Sequence, residues 1–269
     1  MIDLHCHILP GIDDGARTLE EAVEMCRAAA ADGCTAMVAT PHQRRGSWWN
    51  GDRARLAELR SAVAAALAQE APELRFEVLA GAEVHVDGQL LAEAEALAAF
   101  FTPDAGEGIV PLAGSRYLLL EFGGGEPPEA AADLVHELVV AGWRPILAHP
   151  EHIPWMAGDL AAVERLVALG ALCQVTAMSV TGEFGRRAQT DTLRLLDAGL
   201  AHFVASDSHG VKRRPPGLSR ARRAIAARWG EELAARLCEE NPRSVVEDRP
   251  LSAPAVAGAR SGHGPEGAA

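Results

Sequence analysis

The chain begins Met1-Ile2-Asp3-Leu4-His5-Cys6-His7 and runs on through Pro10-Gly11 to Asp13-Asp14-Gly15. The first residues predict a β-strand, and in a strand alternate side chains share a face. His5 and His7 therefore point the same way at the end of this strand. Two neutral imidazoles in this arrangement are a pair of potential metal ligands. Because such pairs also occur on ordinary surfaces, the rest of the chain decides between the two interpretations.

Length and composition limit the fold and exclude some functions. The chain has 269 residues and is 48% hydrophobic, enough for one large αβ barrel. Its 25 basic and 37 acidic residues give a net charge of -12, which argues against binding to duplex nucleic acid. No apolar run approaches the roughly 20 residues of a membrane span, and no targeting segment precedes the first strand. We therefore expect a cytoplasmic protein, with scattered cysteines that stay reduced.

Short apolar segments alternate with amphipathic helical segments along the chain. The predicted strands cover residues 1–7, 35–39, 76–80, 117–120, 145–148, 171–175 and 202–205, and the predicted helices cover 19–32, 53–70, 88–99, 129–141, 159–169 and 189–198. This order is typical of βα units and a parallel sheet. Since no Gly-rich phosphate loop is present, a closed or nearly closed barrel is favoured over a doubly wound sheet.

Six of these seven predicted strands are followed by His, Asp or Glu, and the remaining one ends at Thr176. In a parallel barrel the carboxyl ends of the strands meet at one rim, so these side chains should converge. The nine candidate metal ligands are His5, His7, Asp14, His42, Glu83, Glu121, His149, Asp207 and His209. Nitrogen and carboxylate oxygen without thiolate suit Zn, Mn or Fe. Nine ligands are enough for two or three ions, an arrangement that activates water and binds phosphoryl oxygens.

Several motifs resemble a known family. In chain order they are DLHCH with the following DDG, ATPH, GAEV, LLLEF, AHPE, ASDSH with RRPP just after it, and NPRSVV, and they span Met1 to about Val246. On these motifs the chain resembles the PHP (polymerase and histidinol phosphatase) superfamily. It is most similar to the branch of manganese-dependent bacterial protein-tyrosine phosphatases linked to capsule and exopolysaccharide synthesis. Asp14 and Glu121 favour this branch, because other branches more often have histidine there.

The resemblance implies a fold and a metal centre. The fold is an α/β, distorted seven-stranded (β/α)7 TIM-like barrel, and the cofactor is two to three Mn ions, with Fe or Zn as alternatives. The implied ligand sets are His5, His7, Glu83 and Asp207 for one ion, Glu83, Glu121 and His149 for a second, and Asp14, His42 and His209 for the third. Asp13 is the neighbouring carboxylate that could exchange roles with Asp14.

The resemblance also implies catalytic roles for Arg214, His42 and Asp207. Arg214 stands where the family has a phosphate-contacting arginine, and its planar guanidinium suits that task. The expected mechanism is direct attack on phosphorus by water that the ions activate, without a cysteinyl-phosphate.

One position departs from the family pattern. The family commonly has His-Pro-Glu-Arg where this chain has His149-Pro150-Glu151-His152, so a second phosphate-binding arginine is absent. We expect His152 to contact phosphate as an imidazole, whose charge fades above about pH 7.5. Arg44 or Arg45, in the loop after His42, could supply the missing cation.

The function that follows from the resemblance is a metal-dependent phosphomonoesterase acting on phosphotyrosine in proteins. The expected substrate is a bacterial tyrosine kinase of capsular or exopolysaccharide synthesis. The alternatives are a small-molecule phosphatase such as histidinol phosphatase, and a non-catalytic, metal-stabilised regulator of polysaccharide synthesis.

Other residues allow ordinary structural explanations. Trp48 and Trp49 either stack on an aromatic substrate or cover a hydrophobic patch. His85, His136 and His202 are expected on the surface or in the core rather than at the metal. Residues 1–249 are predicted to form one domain, and residues 250–269 a disordered tail.

Overall fold

The computed structural model describes residues 1–92, 108–125 and 130–251. Within these ranges nine strands and eleven α-helices form an α/β fold with parallel sheets, which confirms the predicted class. Parts of the predicted helices 88–99 and 129–141 and of the connection 102–115, and the predicted tail from residue 252, lie outside the described residues. None of the described helices is both long and apolar enough to cross a membrane.

The strands form two parallel sheets. They are β1 Ile2–Cys6, β2 Ala36–Ala39, β3 His42–Gln43, β4 Glu77–Ala80, β5 Glu83–Val86, β6 Tyr117–Phe122, β7 Arg144–Ala148, β8 Leu172–Thr176 and β9 Phe203–Ala205. The three-stranded sheet has the order β1-β2-β4, and the six-stranded sheet has the order β3-β5-β6-β7-β8-β9. Parallel pairing brings the carboxyl ends of the strands to the same side of the molecule.

Two of the predicted strands, 35–39 and 76–80, are each followed by a further short strand, so nine strands stand where seven were predicted. Two residues separate β2 from β3 and two separate β4 from β5, yet β2 pairs with β4 and β3 with β5. At the β1 edge of the three-stranded sheet, the Asp207 amide donates to the His5 carbonyl at 2.8 Å, and the His7 amide donates to the Ser208 carbonyl at 2.9 Å. The chain after β9 therefore lies against the end of β1.

The two faces of the sheets bury different side chains. Leu118 and Leu120 of β6 belong to a large apolar cluster that also contains helix residues. Tyr117 and Leu119, which alternate with them, belong to a smaller cluster formed mostly by strands. Each large apolar side chain buried in this way stabilises the fold by about 1.5–3 kcal/mol. Helices thus cover one face of the sheets. The other face is enclosed by the strands themselves, below the candidate ligands.

Eight of the eleven described helices lie between strands, and three follow β9. They are α1 Leu19–Ala31, α2 Arg53–Glu70, α3 Gly88–Ala92, α4 Ala131–Val140, α5 Pro154–Ala157, α6 Leu160–Ala168, α7 Ala177–Thr181, α8 Arg186–Asp197, α9 Ser219–Trp229, α10 Glu231–Ala235 and α11 Asn241–Val246. Thr18 caps α1 by accepting the Glu21 amide at 3.2 Å. Helix α11 shows that regular structure continues past Pro242, where the sequence loses its periodic pattern.

Asp32 joins the end of α1 to the start of α9. Its carboxylate accepts the backbone amides of Leu218 at 2.6 Å and Ser219 at 2.8 Å, and it lies 2.5 Å from the Ser219 hydroxyl. The first amides of a helix have no partner within the helix, so a distant carboxylate can act as the cap. Asp32 therefore fixes the segment between His209 and α9, which carries Arg214.

We expect Asp32→Ala to destabilise the protein by about 1–2 kcal/mol, because the α9 amides lose their acceptor. Asp32→Asn keeps an acceptor oxygen and should lose much less. Urea unfolding of the parent and both variants under the same conditions measures the difference. Equal midpoints for the alanine and asparagine variants would show that Asp32 does not act as a cap.

Candidate metal centre

All nine predicted ligands lie in one cluster at the carboxyl ends of the strands. Four groups of close candidate ligands make up this cluster: His7, Asp14, His42 and His209; His5, His7 and Glu83; His5, His149 and Asp207; and His42, Glu83 and Glu121. Within each group the ligand atoms are within 4.8 Å of one another. The predicted third set, Asp14, His42 and His209, lies within one of these groups together with His7. Of the predicted second set, Glu83 and Glu121 share a group with His42, whereas His149 groups with His5 and Asp207.

Glu83 is at the centre of the cluster. One carboxylate oxygen, Oε1, lies 2.7 Å from His149 Nε2 and 3.4 Å from His5 Nε2. The other, Oε2, lies 2.8 Å from His42 Nδ1 and 3.4 Å from His7 Nε2. The side chain is fully buried, so its charge is not screened by water. Glu83 is therefore placed to bridge two ions.

Carboxylate and amide oxygens orient the first two histidines. Asp13 Oδ2 lies 2.9 Å from His7 Nδ1, and Gln174 Oε1 lies 2.8 Å from His5 Nδ1. With Nδ1 of each ring used in this way, Nε2 faces the centre of the cluster. Such partners fix the tautomer and the orientation of a metal-binding histidine.

Asp13 and Asp14 have different positions. Asp13 accepts the His42 amide at 3.1 Å in addition to its contact with His7. Asp14 Oδ1 instead lies 3.3 Å from both His42 Nε2 and His209 Nε2. Asp14 thus faces two of the other candidate ligands, whereas Asp13 lies behind His7.

The close turn of this segment explains Gly15. A β-carbon at Gly15 would lie 2.0 Å from the His7 carbonyl oxygen and 2.4 Å from the His7 β-carbon. Only glycine allows the chain to pass this near to His7. The DDG sequence therefore combines a ligand, a positioning carboxylate and the residue that lets both approach.

Gln174 was not predicted from the sequence. It lies in the middle of β8, two residues before Thr176, and it is buried. Leu172 packs against the enclosed apolar cluster, and alternate residues of a strand share a face, so Gln174 points to the same side. A lone amide inside the apolar strand Leu-Cys-Gln-Val-Thr was the available signal.

We expect Gln174→Leu to weaken metal binding by about 10–100-fold, as loss of such a partner typically does. The His5 ring would lose the contact that fixes its orientation. Competition with a coloured chelator measures the affinity, and Gln69→Leu on the exposed side of α2 is the matched control. Unchanged affinity in the Gln174 variant would show that His5 is oriented by its other contacts.

The arrangement of the candidate ligand atoms suits a shared metal ion better than it suits hydrogen bonds between these side chains. His5 Nε2 and His7 Nε2 face each other at 3.2 Å. Glu83 Oε2 has no hydrogen-bond partner among the described residues, although His42 Nδ1 is near. Lone pairs that converge without hydrogens between them suit a shared cation. Imidazoles and carboxylates without sulfur are the donor set for Zn, Mn or Fe.

The buried carboxylates and imidazoles change one another's protonation. Burial opposes ionisation of Glu83, but nearby imidazoles, His5 above all, hold its pKa well below the usual value. Burial also disfavours the charged form of His149, yet Glu83 raises its pKa to about 9. For His7 burial is again outweighed, by Asp13 and other carboxylates, and the pKa rises well above its ordinary value. Protons and metal ions therefore compete for this site, so metal binding should weaken in acid.

Two of the ligands lie on strained backbone. His149 has φ 33° and Asp207 has φ 52°, in the left-handed region that side chains other than glycine rarely adopt. His149 stands immediately after β7, and Asp207 stands two residues after β9. Each turns its side chain towards the cluster. Strain of about 1–3 kcal/mol at such positions is typical of functional sites.

Arg214 and Arg45 reach the cluster, whereas Arg44 does not. Arg214 donates to an Asp207 carboxylate oxygen, and its Nη1 lies 3.3 Å from His209 Nε2. Arg45 Nη1 lies 2.6 Å from His42 Nε2 and 3.3 Å from Glu121 Oε1. Arg44 Nη2 instead donates to both carboxylate oxygens of Asp87, at 3.0 and 3.1 Å. Of the two predicted substitutes for the absent arginine, the structure therefore brings Arg45 to the site.

His152 lines the same cavity as the ligands but carries little charge there. Its Nε2 lies 3.0 Å from the Ser179 hydroxyl, and its ring lies edge-on to Phe184 at 5.0 Å. Burial lowers the pKa of His152. The imidazole is thus mostly neutral near neutral pH, and it is less cationic than the sequence-based expectation assumed.

The two loop tryptophans contact the protein's own side chains. Trp48 stacks on the His42 ring with centroids 5.2 Å apart and planes 6° apart. Trp49 lies beneath the Arg44 guanidinium at 4.9 Å. Neither is among the described residues that line the cavity over the ligands. Trp48 therefore supports a ligand rather than a substrate ring.

The three other histidines differ in their surroundings. His85 Nδ1 lies 3.2 Å from Glu121 Oε2 and lines the cavity, closer to the site than predicted. His136 is exposed on α4. His202 Nδ1 accepts the Cys173 amide at 3.1 Å, a structural contact.

The cysteines do not form a nucleophilic site. All five are buried and free: Cys6, Cys26, Cys34, Cys173 and Cys238. Burial raises the pKa of the Cys6 thiol well above its usual value and that of Cys26 to about 12. Because the thiolate is the reactive form, these cysteines are poor nucleophiles at neutral pH.

Comparisons with known proteins identify relatives of this chain. Residues 1–247 match the model of the family described as capsular polysaccharide synthesis, CpsB/CapC. The chain is 34% identical over 239 residues to tyrosine-protein phosphatase YwqE of Bacillus subtilis strain 168, a match that covers 89% of each chain. It is 28% identical over 255 residues to tyrosine-protein phosphatase CpsB of Streptococcus pneumoniae, covering 93% of this chain and 99% of that one.

The fold is similar as well. The structure superposes with a TM-score of 0.84 and 32% identity on one from the crystallographic work on YwqE from Bacillus subtilis and CpsB from Streptococcus pneumoniae, unique metal-dependent tyrosine phosphatases. The similarity covers 94% of this chain and 96% of that chain.

Proposed function

This chain belongs to the capsular polysaccharide synthesis family CpsB/CapC, and on that premise we propose that it is a metal-dependent protein-tyrosine phosphatase. The observation that carries the proposal is the clustering of the nine candidate ligands, six of which line one cavity together with Arg45 and Arg214. Such a centre suits hydrolysis of a phosphate monoester, in which negative charge must be neutralised while water attacks phosphorus.

In this proposal the nine candidate ligands would hold two to three Mn ions, with Glu83, whose two carboxylate oxygens face different imidazoles, at the centre of the set. When bound, the ions supply Lewis-acid charge and lower the pKa of water. Asp13 and Gln174 hold the rings of His7 and His5 so that Nε2 of each faces inward.

Phosphate recognition falls to the two arginines that reach the cavity. Arg214 binds the phosphate oxygens through its planar guanidinium, and Arg45 supplies a second cation. Arg45 thereby replaces the arginine that the family commonly has at the position of His152. Both side chains are partly exposed, so a phosphate can reach them from solvent.

The proposed physiological substrate is a bacterial tyrosine kinase of capsular or exopolysaccharide synthesis. Two findings support it: the family is described by its role in capsular polysaccharide synthesis, and relatives are tyrosine-protein phosphatases.

We further propose that residues 1–249 form a single domain, a distorted seven-stranded barrel. The hydrogen bonds between the segment after β9 and the end of β1 support closure of the barrel. The proposed location is the cytoplasm, which the five free cysteines support because reduced thiols persist there.

The test is an assay of phosphate release from a phosphotyrosine peptide and from histidinol phosphate, each with and without added Mn. We expect turnover of the peptide to be preferred and to depend on Mn. A preference for histidinol phosphate would make the protein a small-molecule phosphatase. Binding of ions without turnover of either substrate would make it a regulator. Thiol alkylation that abolished activity while the metal stayed bound would contradict the water-attack mechanism.

A further inference from the structure

The cavity over the ligands has two kinds of wall. It has a volume of about 460 Å³. One part is charged or polar and carries six of the nine candidate ligands with His85, Arg45 and Arg214. The other part is aromatic or apolar and consists of Phe122, Gly123, Gly124, His152, Ile153 and Phe184. Ions and a phosphate group need only the charged part, so the second wall faces whatever is attached to the phosphate.

Phe184 is the aromatic side chain next to the phosphate site. It lies between α7 and α8, half-buried, with the Arg214 guanidinium 5.6 Å from its ring centroid. Because Arg214 is the proposed phosphate contact, the group bonded to the phosphate begins beside Phe184. A flat ring at that point can stack on, or meet edge-on, the Phe184 ring.

His152 fixes the second aromatic surface of this wall. Its ring is perpendicular to Phe184, with an interplanar angle of 88°, and lies 5.9 Å from the His149 ring. The contact of Nε2 with the Ser179 hydroxyl at 3.0 Å sets the ring's orientation. Gly123 and Gly124 add no side chains to the cavity, so they leave it open to a bulky group.

We propose that Phe184 and His152 form an aryl subsite that favours phosphorylated phenols, the class of phosphotyrosine, over phosphorylated aliphatic alcohols, the class of phosphoserine. This inference rests on the proposed function for the position of the phosphate. It assigns His152 to recognition of the substrate ring, whereas the arginine common at this position in the family contacts phosphate. Selectivity then comes from aromatic contact and shape rather than from an additional charge.

The test is calorimetric binding of three phosphate mimics to the Mn-loaded protein: phenylphosphonate, methylphosphonate and inorganic phosphate. In Phe184→Ala, affinity for phenylphosphonate should fall about tenfold, the upper range expected for loss of an aromatic pair. Affinities for methylphosphonate and phosphate should change less than about threefold. Phe184→Leu keeps apolar volume if the alanine variant folds poorly, and should show the same selective loss to a smaller degree.

Val140→Ala removes an apolar side chain that is 69% exposed on α4 and is the matched control. An equal loss for all three mimics would overturn the proposal, since Phe184 would then act by supporting Arg214. Unchanged binding of phenylphosphonate in both Phe184 variants would also overturn it.

The same experiment separates this inference from the proposed function. Selective loss of phenylphosphonate in a protein that hydrolyses no phosphotyrosine peptide would support the subsite and contradict the function. Hydrolysis of the peptide together with unchanged binding in the variants would contradict the subsite alone.

Discussion

Glu83→Gln should lower kcat/KM for a phosphotyrosine peptide by at least about 100-fold and reduce the metal content per chain. The amide keeps the size of the side chain but removes its charge and one acceptor oxygen. Because the carboxylate lies within 3.4 Å of four imidazole nitrogens, no neighbouring group replaces it. Loss of a preorganised electrostatic group typically lowers turnover by about 10²–10³-fold.

Glu77→Gln is the matched control for this variant. Glu77 is the exposed first residue of β4 and lies six positions before Glu83 in the chain. It should keep full metal content and activity. Elemental analysis and initial rates measure both effects, and a Glu83 variant that retained its metal and more than half of the parent's activity would contradict a bridging role.

Arg214→Ala should lower kcat/KM by about 100-fold while the metal content stays close to that of the parent. The side chain is positioned by Asp207 and by the turn in which the His209 amide donates to the Arg214 carbonyl at 3.0 Å. Its loss removes a charge that stabilises the transferring phosphoryl group. Arg214→Lys keeps the charge but not the planar fork, so it should recover only part of the activity.

Arg213→Ala is the control, since Arg213 is the exposed neighbour in the same turn. Steady-state kinetics of the three variants, with metal content measured on the same preparations, checks the prediction. Equal rates for Arg213→Ala and Arg214→Ala would show that this turn only adds general positive charge to the surface.

The candidate ligands could be predicted from the sequence because the fold places them by a simple rule. His5, His42, Glu121 and Asp207 all lie at or just after the ends of short apolar strands, and parallel strands bring their carboxyl ends together. Gln174 was missed because it lies within a strand rather than at its end. Phe184 was missed because nothing in a loop sequence tells which aromatic residue faces a cavity.

The strand breaks and the choice between neighbouring arginines depend on local geometry. Pro41 has no amide to donate, which explains why the strand pauses between β2 and β3. At Gly81, between β4 and β5, a β-carbon would lie 2.6 Å from Val38, so the chain passes too near for any other residue. Arg44 has φ 61°, and this left-handed turn directs it to Asp87 while Arg45 faces His42. Periodicity alone does not encode such turns.

The central claim is that the cluster around Glu83 holds the ions on which phosphatase activity depends. Titrating metal-free protein with Mn while following phosphate release from a phosphotyrosine peptide tests it most directly. The account predicts no measurable turnover without metal and recovery that saturates at two to three ions per chain. Full activity in the presence of a strong chelator, or saturation at one ion or fewer, would contradict it.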